Sequence, residues 1–176
     1  MFRPLRRIKQ QLTQEECISV LKNEVRGVLS VLGDDDYPYG LPINYWYCEK
    51  ENKIYFHGAK EGHKIDSIKR HDKVSFCVYD KGVQTEGKMG LDYKSVIVFG
   101  RIKPVEDREK TVDICRKLSS QFDFGQDYIE EEIKKFAKFV LCLELTPEHI
   151  SGKSVNESWT KVNNINKRFI KNKIDW

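Results

Sequence analysis

No apolar run in this chain approaches the ~18 residues that a membrane-crossing helix needs, so a transmembrane segment is not expected. The basic start, MFRPLRRIKQQ, lacks the apolar core of roughly 7–15 residues that marks a secretory signal; a cytoplasmic location is the expectation. Cysteine is sparse and scattered: Cys17, Cys48, Cys77, Cys115 and Cys142 form no CxxC pair. Their odd number and wide spacing argue against a disulfide framework or a zinc site. Cys17, Cys77 and Cys142 fall among apolar residues and read as small buried side chains in a reducing compartment. No local pattern marks a nucleophilic cysteine. GxGxxG, GxxxxGK[ST], GxSxG and HExxH are all absent, which removes the common nucleotide, hydrolase and zinc-protease signatures. His57, His63 and His71 have no recognised ligand spacing, and no metal site is expected. Strong charge of one sign is missing too. The net charge is +4, and the clusters at Arg3, Arg6, Arg7 and Lys9 and in the tail NKRFIKNK read as solvated ends. Nucleic-acid binding, which needs a concentrated basic face, is not expected.

What remains is an ordinary globular composition, 176 residues with 39% hydrophobic and 33% charged, long enough for one real core. Thr13-Gln14-Glu15-Glu16 has the form of a capping box, and Cys17, Ile18, Leu21 and Val25 follow at helical spacing, predicting a helix over 14–24. Strands are predicted at 28–32, 37–48, 53–57, 73–79, 93–105 and 139–145, the last stopped by Pro147. Helices are predicted over 62–70 and near 107–121 and 127–137, and residues 80–92 read as a loop. Pro38 and Pro42 cannot donate to a ladder, so the start of the second strand should lie at an edge or carry a bulge. Gly100 would allow a bend in the longest strand. Strands joined by short antiparallel connections, with no βαβ alternation, predict a mainly β (α+β) fold. A six-stranded antiparallel barrel flanked by helices is the simplest way to remove the sheet edges.

Two stretches stand out chemically. In IYFHGAKEGHKIDSIK (54–69) a strand ends at His57-Gly58-Ala59 and a helix opens at Gly62. Small residues let a ligand approach the backbone, and free N–H groups and the dipole of a helix start favour an anion. His63 and Lys64 place cations in that first turn, against the usual preference, at a cost of a few tenths to ~1 kcal/mol unless an anion sits nearby. The alternatives are a phosphate site and a plain solvated connection. In LPINYWY (41–47), Asn44 is a polar residue in a strand that should be buried and needs a partner, whereas Trp46 and Tyr47 read as ordinary packing.

In order and spacing, GVLSVLGDDDYPYGLPINYWY, KIYFHGAKEGHKIDSIKRHDKVSFCV and YKSVIVFGRIKPVED resemble the pyridoxamine 5′-phosphate oxidase-like superfamily, most closely its nitroimidazole-resistance (Nim-type) branch. The resemblance spans about residues 14–153. It implies a split β-barrel domain over 1–153 with a C-terminal tail over 154–176, and a homodimer with flavin at the subunit interfaces, FMN as a rule and FAD as the alternative. By the same resemblance Pro42, Ile43, Asn44 and Tyr45 run beside the flavin ring, and Phe56, His57, Gly58 and Ala59 line it at the strand end. Gly62, His63 and Lys64 hold the phosphate, and Ser95, Val96 and Lys153 approach from the barrel wall and the partner's side. His57 is the catalytic candidate, its other reading being a histidine packed against the ring. The expected activity is reduction of a small flat electrophile, such as a nitroimidazole-type nitro compound, with electrons from NAD(P)H. Non-catalytic flavin-binding or haem-binding relatives on the same barrel are the alternatives. The basic C-terminal motif of true pyridoxamine phosphate oxidases is missing, which disfavours vitamin B6 oxidation.

Overall fold

The capping box at Thr13 forms as its sequence dictates: the Thr13 hydroxyl accepts from the Glu16 amide while the Glu16 carboxylate accepts from the Thr13 amide, starting helix α1 (Gln14–Asn23). The computed structural model describes residues 2–87 and 89–156. Seven strands follow the chain as β1 (Arg26–Leu32), β2 (Pro38–Cys48), β3 (Lys53–Ala59), β4 (Lys73–Tyr79), β5 (Val83–Gln84), β6 (Leu91–Pro104) and β7 (Val140–Asn156). Helix α2 (His63–Arg70) lies between β3 and β4, and α3 (Arg108–Ser119) and α4 (Gln126–Phe136) lie between β6 and β7.

All pairings are antiparallel. The order β4-β1-β2-β3-β7-β6 closes on itself because β4 also pairs with β6, giving a six-stranded barrel with the two-residue β5 added beside β6. Residues 80–92, expected to be loop throughout, thus contain this short strand. Period-two alternation decides what faces in: Leu29, Tyr45, Phe56, Phe76, Val96 and Leu143 fill the interior. Phe76 meets Tyr45 and Phe56 edge-on, with centroids 4.9 and 5.0 Å apart. The Tyr45 hydroxyl donates to the Leu21 carbonyl at 3.0 Å, satisfying its polar end inside the core. Helix α1 joins this core through Cys17, Val20 and Leu21, and α2 through Ile65 and Ile68.

A second expectation fails. The last strand does not stop at Pro147 but continues to Asn156. The β6–β7 register slips where Phe99 faces His149 and Gly100 faces Pro147, so the proline falls at a bulge, where a missing N–H disrupts the ladder least. A side chain at Gly100 would collide with the Thr146 carbonyl and meet Leu145 Cδ1 at 3.0 Å. The bend anticipated at Gly100 and the error at Pro147 are therefore one feature.

Outside the barrel, α3 and α4 cover one flank with a second core in which Tyr55, Ile114, Leu118, Ile129 and Cys142 are buried. Under this cover lies Glu144, 4% exposed. It accepts from Lys53 at 2.8 Å, Lys110 at 3.0 Å and the Tyr55 hydroxyl at 3.2 Å. Burial alone would raise its pKa, but the two lysines outweigh that and hold the carboxyl at about 2. On the opposite flank, β4 and β6 leave Tyr79, Ile97 and Phe99 exposed.

Candidate functional site

Strands β2 and β3 pair only between Tyr45–Cys48 and Lys53–Phe56. Before Tyr45, β2 pairs with β1 alone. After Phe56, β3 pairs with β7 alone. The two strands therefore part at Asn44 and His57 and open a seam in the barrel wall. The sequence prepares it: Pro38 and Pro42 sit in the half of β2 that pairs on one side only, the edge position expected for them.

Three hollows meet at this seam, and His57 lines all of them. The first, about 350 Å³, is bounded by Arg26, Pro42, Ile43, Asn44 and His57. A second, about 200 Å³, runs from Asn44 and His57 beneath the α3–α4 connection, where Phe122, Phe124 and Tyr128 form an aromatic wall. The third, about 150 Å³, holds His57 with Cys115, Ser119 and Glu132. A larger groove of about 590 Å³ runs along Asp34, Asp35, Asp36, Arg70 and His71, but no candidate residue lines it.

The partner Asn44 required is Arg26, whose Nε donates to its Oδ1 at 2.8 Å. At the strand end, Gly58 leaves room for Lys64: a Cβ built on Gly58 would stand 2.9 Å from Lys64 Nζ. Lys64 is half-buried, and burial pushes its pKa down. Among the described residues it has no hydrogen bond or ion pair, so a partly desolvated ammonium stands beside the seam uncompensated. Gly62 starts α2 at φ 115°, with no side chain capping the helix N–H groups; that backbone shape suits glycine.

Lys64 and His63, neighbours in sequence, point to different surroundings. The His63 ring stacks on Tyr39 at 4.3 Å, and its Nε2 lies 3.5 Å from Asp34 Oδ2. The structure thus gathers Pro42, Ile43, Asn44, His57, Gly58, Ala59 and Lys64 around the seam. Tyr45, Phe56 and Val96 are fully buried in the barrel interior and present no surface to an outside ligand. Ser95 and Lys153 face each other across β6 and β7, far along β7 from Cys142, the residue opposite His57; the fold of the chain does not bring them to the seam.

Sequence reasoning missed Arg26, Cys115, Glu132 and the Phe122–Tyr128 wall. The one available signal was Phe122 and Phe124, two aromatics in a polar helix connection; helical periodicity explains Cys115 as core and gives no hint of its proximity to His57.

A sequence profile of the pyridoxamine 5′-phosphate oxidase family matches residues 13–154, and the chain belongs to that family. No curated protein matches it. Among solved structures, the fold is similar to a candidate 5-nitroimidazole antibiotic resistance protein from Bacteroides thetaiotaomicron, at 18% identity and TM-score 0.64, covering 82% of this chain and 86% of that one. It is also similar to an FAD-binding protein from Mesorhizobium loti, at 23% identity and TM-score 0.61, covering 84% and 98%. An FAD-binding protein from Mycobacterium smegmatis gives 20% identity and TM-score 0.60, covering 83% and 98%. Among the described residues no helix is long and apolar enough to cross a membrane, and no group of His, Cys, Asp and Glu could hold a metal ion.

Proposed function

We propose that this chain binds a flavin, FMN or FAD, along the seam between β2 and β3 and uses it to reduce a small flat electrophile of the nitroimidazole type with electrons from NAD(P)H. The observation that carries the reading is Lys64: a half-buried ammonium without an anionic partner among the described residues, beside a glycine that leaves it room. A desolvated charge is retained where something compensates it, and a phosphate is the anion that a cationic helix start suits. Family membership and the FAD-binding proteins that share the fold support a flavin as the bearer of that phosphate.

Lys64 and the first N–H groups of α2 would hold the phosphate, and the one-sided edge of β2 at Pro42, Ile43 and Asn44 would face the ring. A bound flavin supplies the redox chemistry, taking up and passing on a hydride. His57, exposed where the hollows meet, would hold or deliver a proton at an imidazole nitrogen. The aromatic wall of Phe122, Phe124 and Tyr128 would receive a flat substrate. A homodimer belongs to the same proposal: Ile97, Phe99 and Tyr79 leave an apolar sheet face exposed, and Ser95 and Lys153 reach a flavin site only if a second copy supplies it.

Titration with FMN and with FAD, followed by visible absorbance and flavin fluorescence, tests the reading. Saturable uptake of either flavin supports it, and uptake of neither overturns it. His57→Ala should retain flavin and lose nitro-reduction; full activity in that variant would reduce His57 to packing.

A further inference from the structure

The mechanism above leaves Cys115 and Cys142 unused. They come from different elements, α3 and β7, yet their sulfurs lie 3.9 Å apart inside the second core. Among the described residues no other two sulfurs approach within hydrogen-bonding reach. Their surroundings differ. Cys115 opens on the 150 Å³ hollow that it shares with His57, Ser119 and Glu132, whereas Cys142 is fully buried behind it, where its one thiol hydrogen can turn either to the Thr111 carbonyl, 3.8 Å from Sγ, or to the Cys115 sulfur.

We propose that Cys115 and Cys142 are a peroxide-oxidisable thiol pair, in which Cys115 reacts with a hydroperoxide entering the His57 hollow and Cys142 resolves the product into a disulfide. A hydrogen bond from Cys142 lowers the Cys115 pKa against the effect of burial, and His57 and Arg108 favour its thiolate further. The same hydrogen bond, together with burial, pushes the Cys142 thiol up. Thiolate character governs both attack and oxidation, so the geometry and the charges assign the same order of events.

In the first step the Cys115 thiolate attacks one peroxide oxygen. The O–O bond breaks, Cys115 becomes a sulfenic acid, and the departing hydroxide takes up a proton and leaves as water. In the second, the Cys142 sulfur attacks the Cys115 sulfur, the S–O bond breaks, and a second water leaves carrying the Cys142 proton. Two thiols lose two hydrogens and one hydrogen peroxide becomes two waters. Closing the bond needs side-chain rotation that brings the sulfurs to about 2 Å. The bridge would tie α3 to β7 beside His57, coupling the redox state of the pair to the shape of the candidate site. No flavin is required, so the proposal stands or falls separately from the one above.

The test is limited hydrogen peroxide on the full chain, alkylation of the remaining thiols, and peptide mapping by mass spectrometry. The expected product is a Cys115–Cys142 linked peptide lighter by two hydrogens and released by dithiothreitol. Cys142→Ser should leave Cys115 as a sulfenic acid trapped by dimedone, and Cys115→Ser should leave Cys142 unoxidised. Cys77 provides the internal comparison, because it is the more exposed thiol but burial raises its pKa. Oxidation of Cys77 before Cys115, or no linked peptide in the wild type at peroxide sufficient to oxidise Cys77, overturns the proposal, and neither result depends on how the variants fold.

Discussion

The two sides of the point where β2 and β3 part treat buried charge in opposite ways. On the flank covered by α3 and α4, Glu144 is surrounded by Lys53, Lys110 and Tyr55, and Glu51 accepts from Tyr55 at 2.6 Å and from Lys110 at 3.2 Å. Each polar group named here has a partner. Across the seam Lys64 is half-buried with no partner among the described residues. A closed network positions and stabilises, whereas an open one carries a cost that folding alone does not recover. The distinction separates scaffold from site on physical grounds, and substitutions on each side should behave differently.

The largest effect belongs to the closed side. Glu144→Ala strips Lys53 of its acceptor and leaves Lys110 and the Tyr55 hydroxyl with Glu51 alone, and should cost about 3 kcal/mol in urea unfolding, the low end of the scale for breaking a buried pair. Its pH signature follows from linkage. The Glu144 carboxyl is held at about 2 in the fold against 4.5 as the ordinary value, so between those values the unfolded chain binds more protons. The contribution is complete above about pH 4.5 and is lost as pH falls towards 2. Glu144→Gln should flatten the stability profile across that window; an unchanged acid limb would show that the network does not titrate as a unit.

Gly100→Ala should come next, at about 2 kcal/mol, because its methyl meets the Thr146 carbonyl, backbone that cannot swing aside. This position also shows what the sequence made legible. Composition and proline placement were local signals, so the edge at Pro38 and Pro42 and the capping box at Thr13 could be read directly. Pro147 misled because the feature that admits it, Gly100, lies on another strand. The Glu144 network was invisible for the same reason: Lys53 and Glu144 are 91 residues apart. Lys64 could be read because its oddity, a cation at a helix start, is local. The separation of His63 from it could not, since that depends on Tyr39 and Asp34.

The open side should respond in the reverse sense. Lys64→Met removes a desolvated charge that has no partner among the described residues, so the ligand-free protein should unfold at the same or a slightly higher temperature. Affinity for FMN should nonetheless fall by roughly 1.5 kcal/mol, about tenfold in Kd, as for a lost charge-assisted hydrogen bond. Thermal scans with and without FMN read both quantities in one experiment. A drop in ligand-free stability would move Lys64 to the scaffold side of the comparison.

Gly58→Ala sharpens the comparison furthest while changing least. Its added methyl would stand 2.9 Å from Lys64 Nζ, the far end of a flexible side chain, with Lys64 Cε next at 3.9 Å. The fold can therefore absorb it, and stability should stay within about 0.5 kcal/mol, the range for changes that disturb no packed feature. Lys64 must move away from the strand end, so FMN affinity should weaken, but by less than in Lys64→Met because the charge is displaced and not deleted; about 1 kcal/mol is expected. Gly100→Ala is the natural control, a glycine in the same barrel whose substitution should lower stability without acting on Lys64. If Gly58→Ala left FMN binding intact, the room beside Lys64 would have no bearing on the anion, and the glycine would belong with the ordinary bends of the barrel.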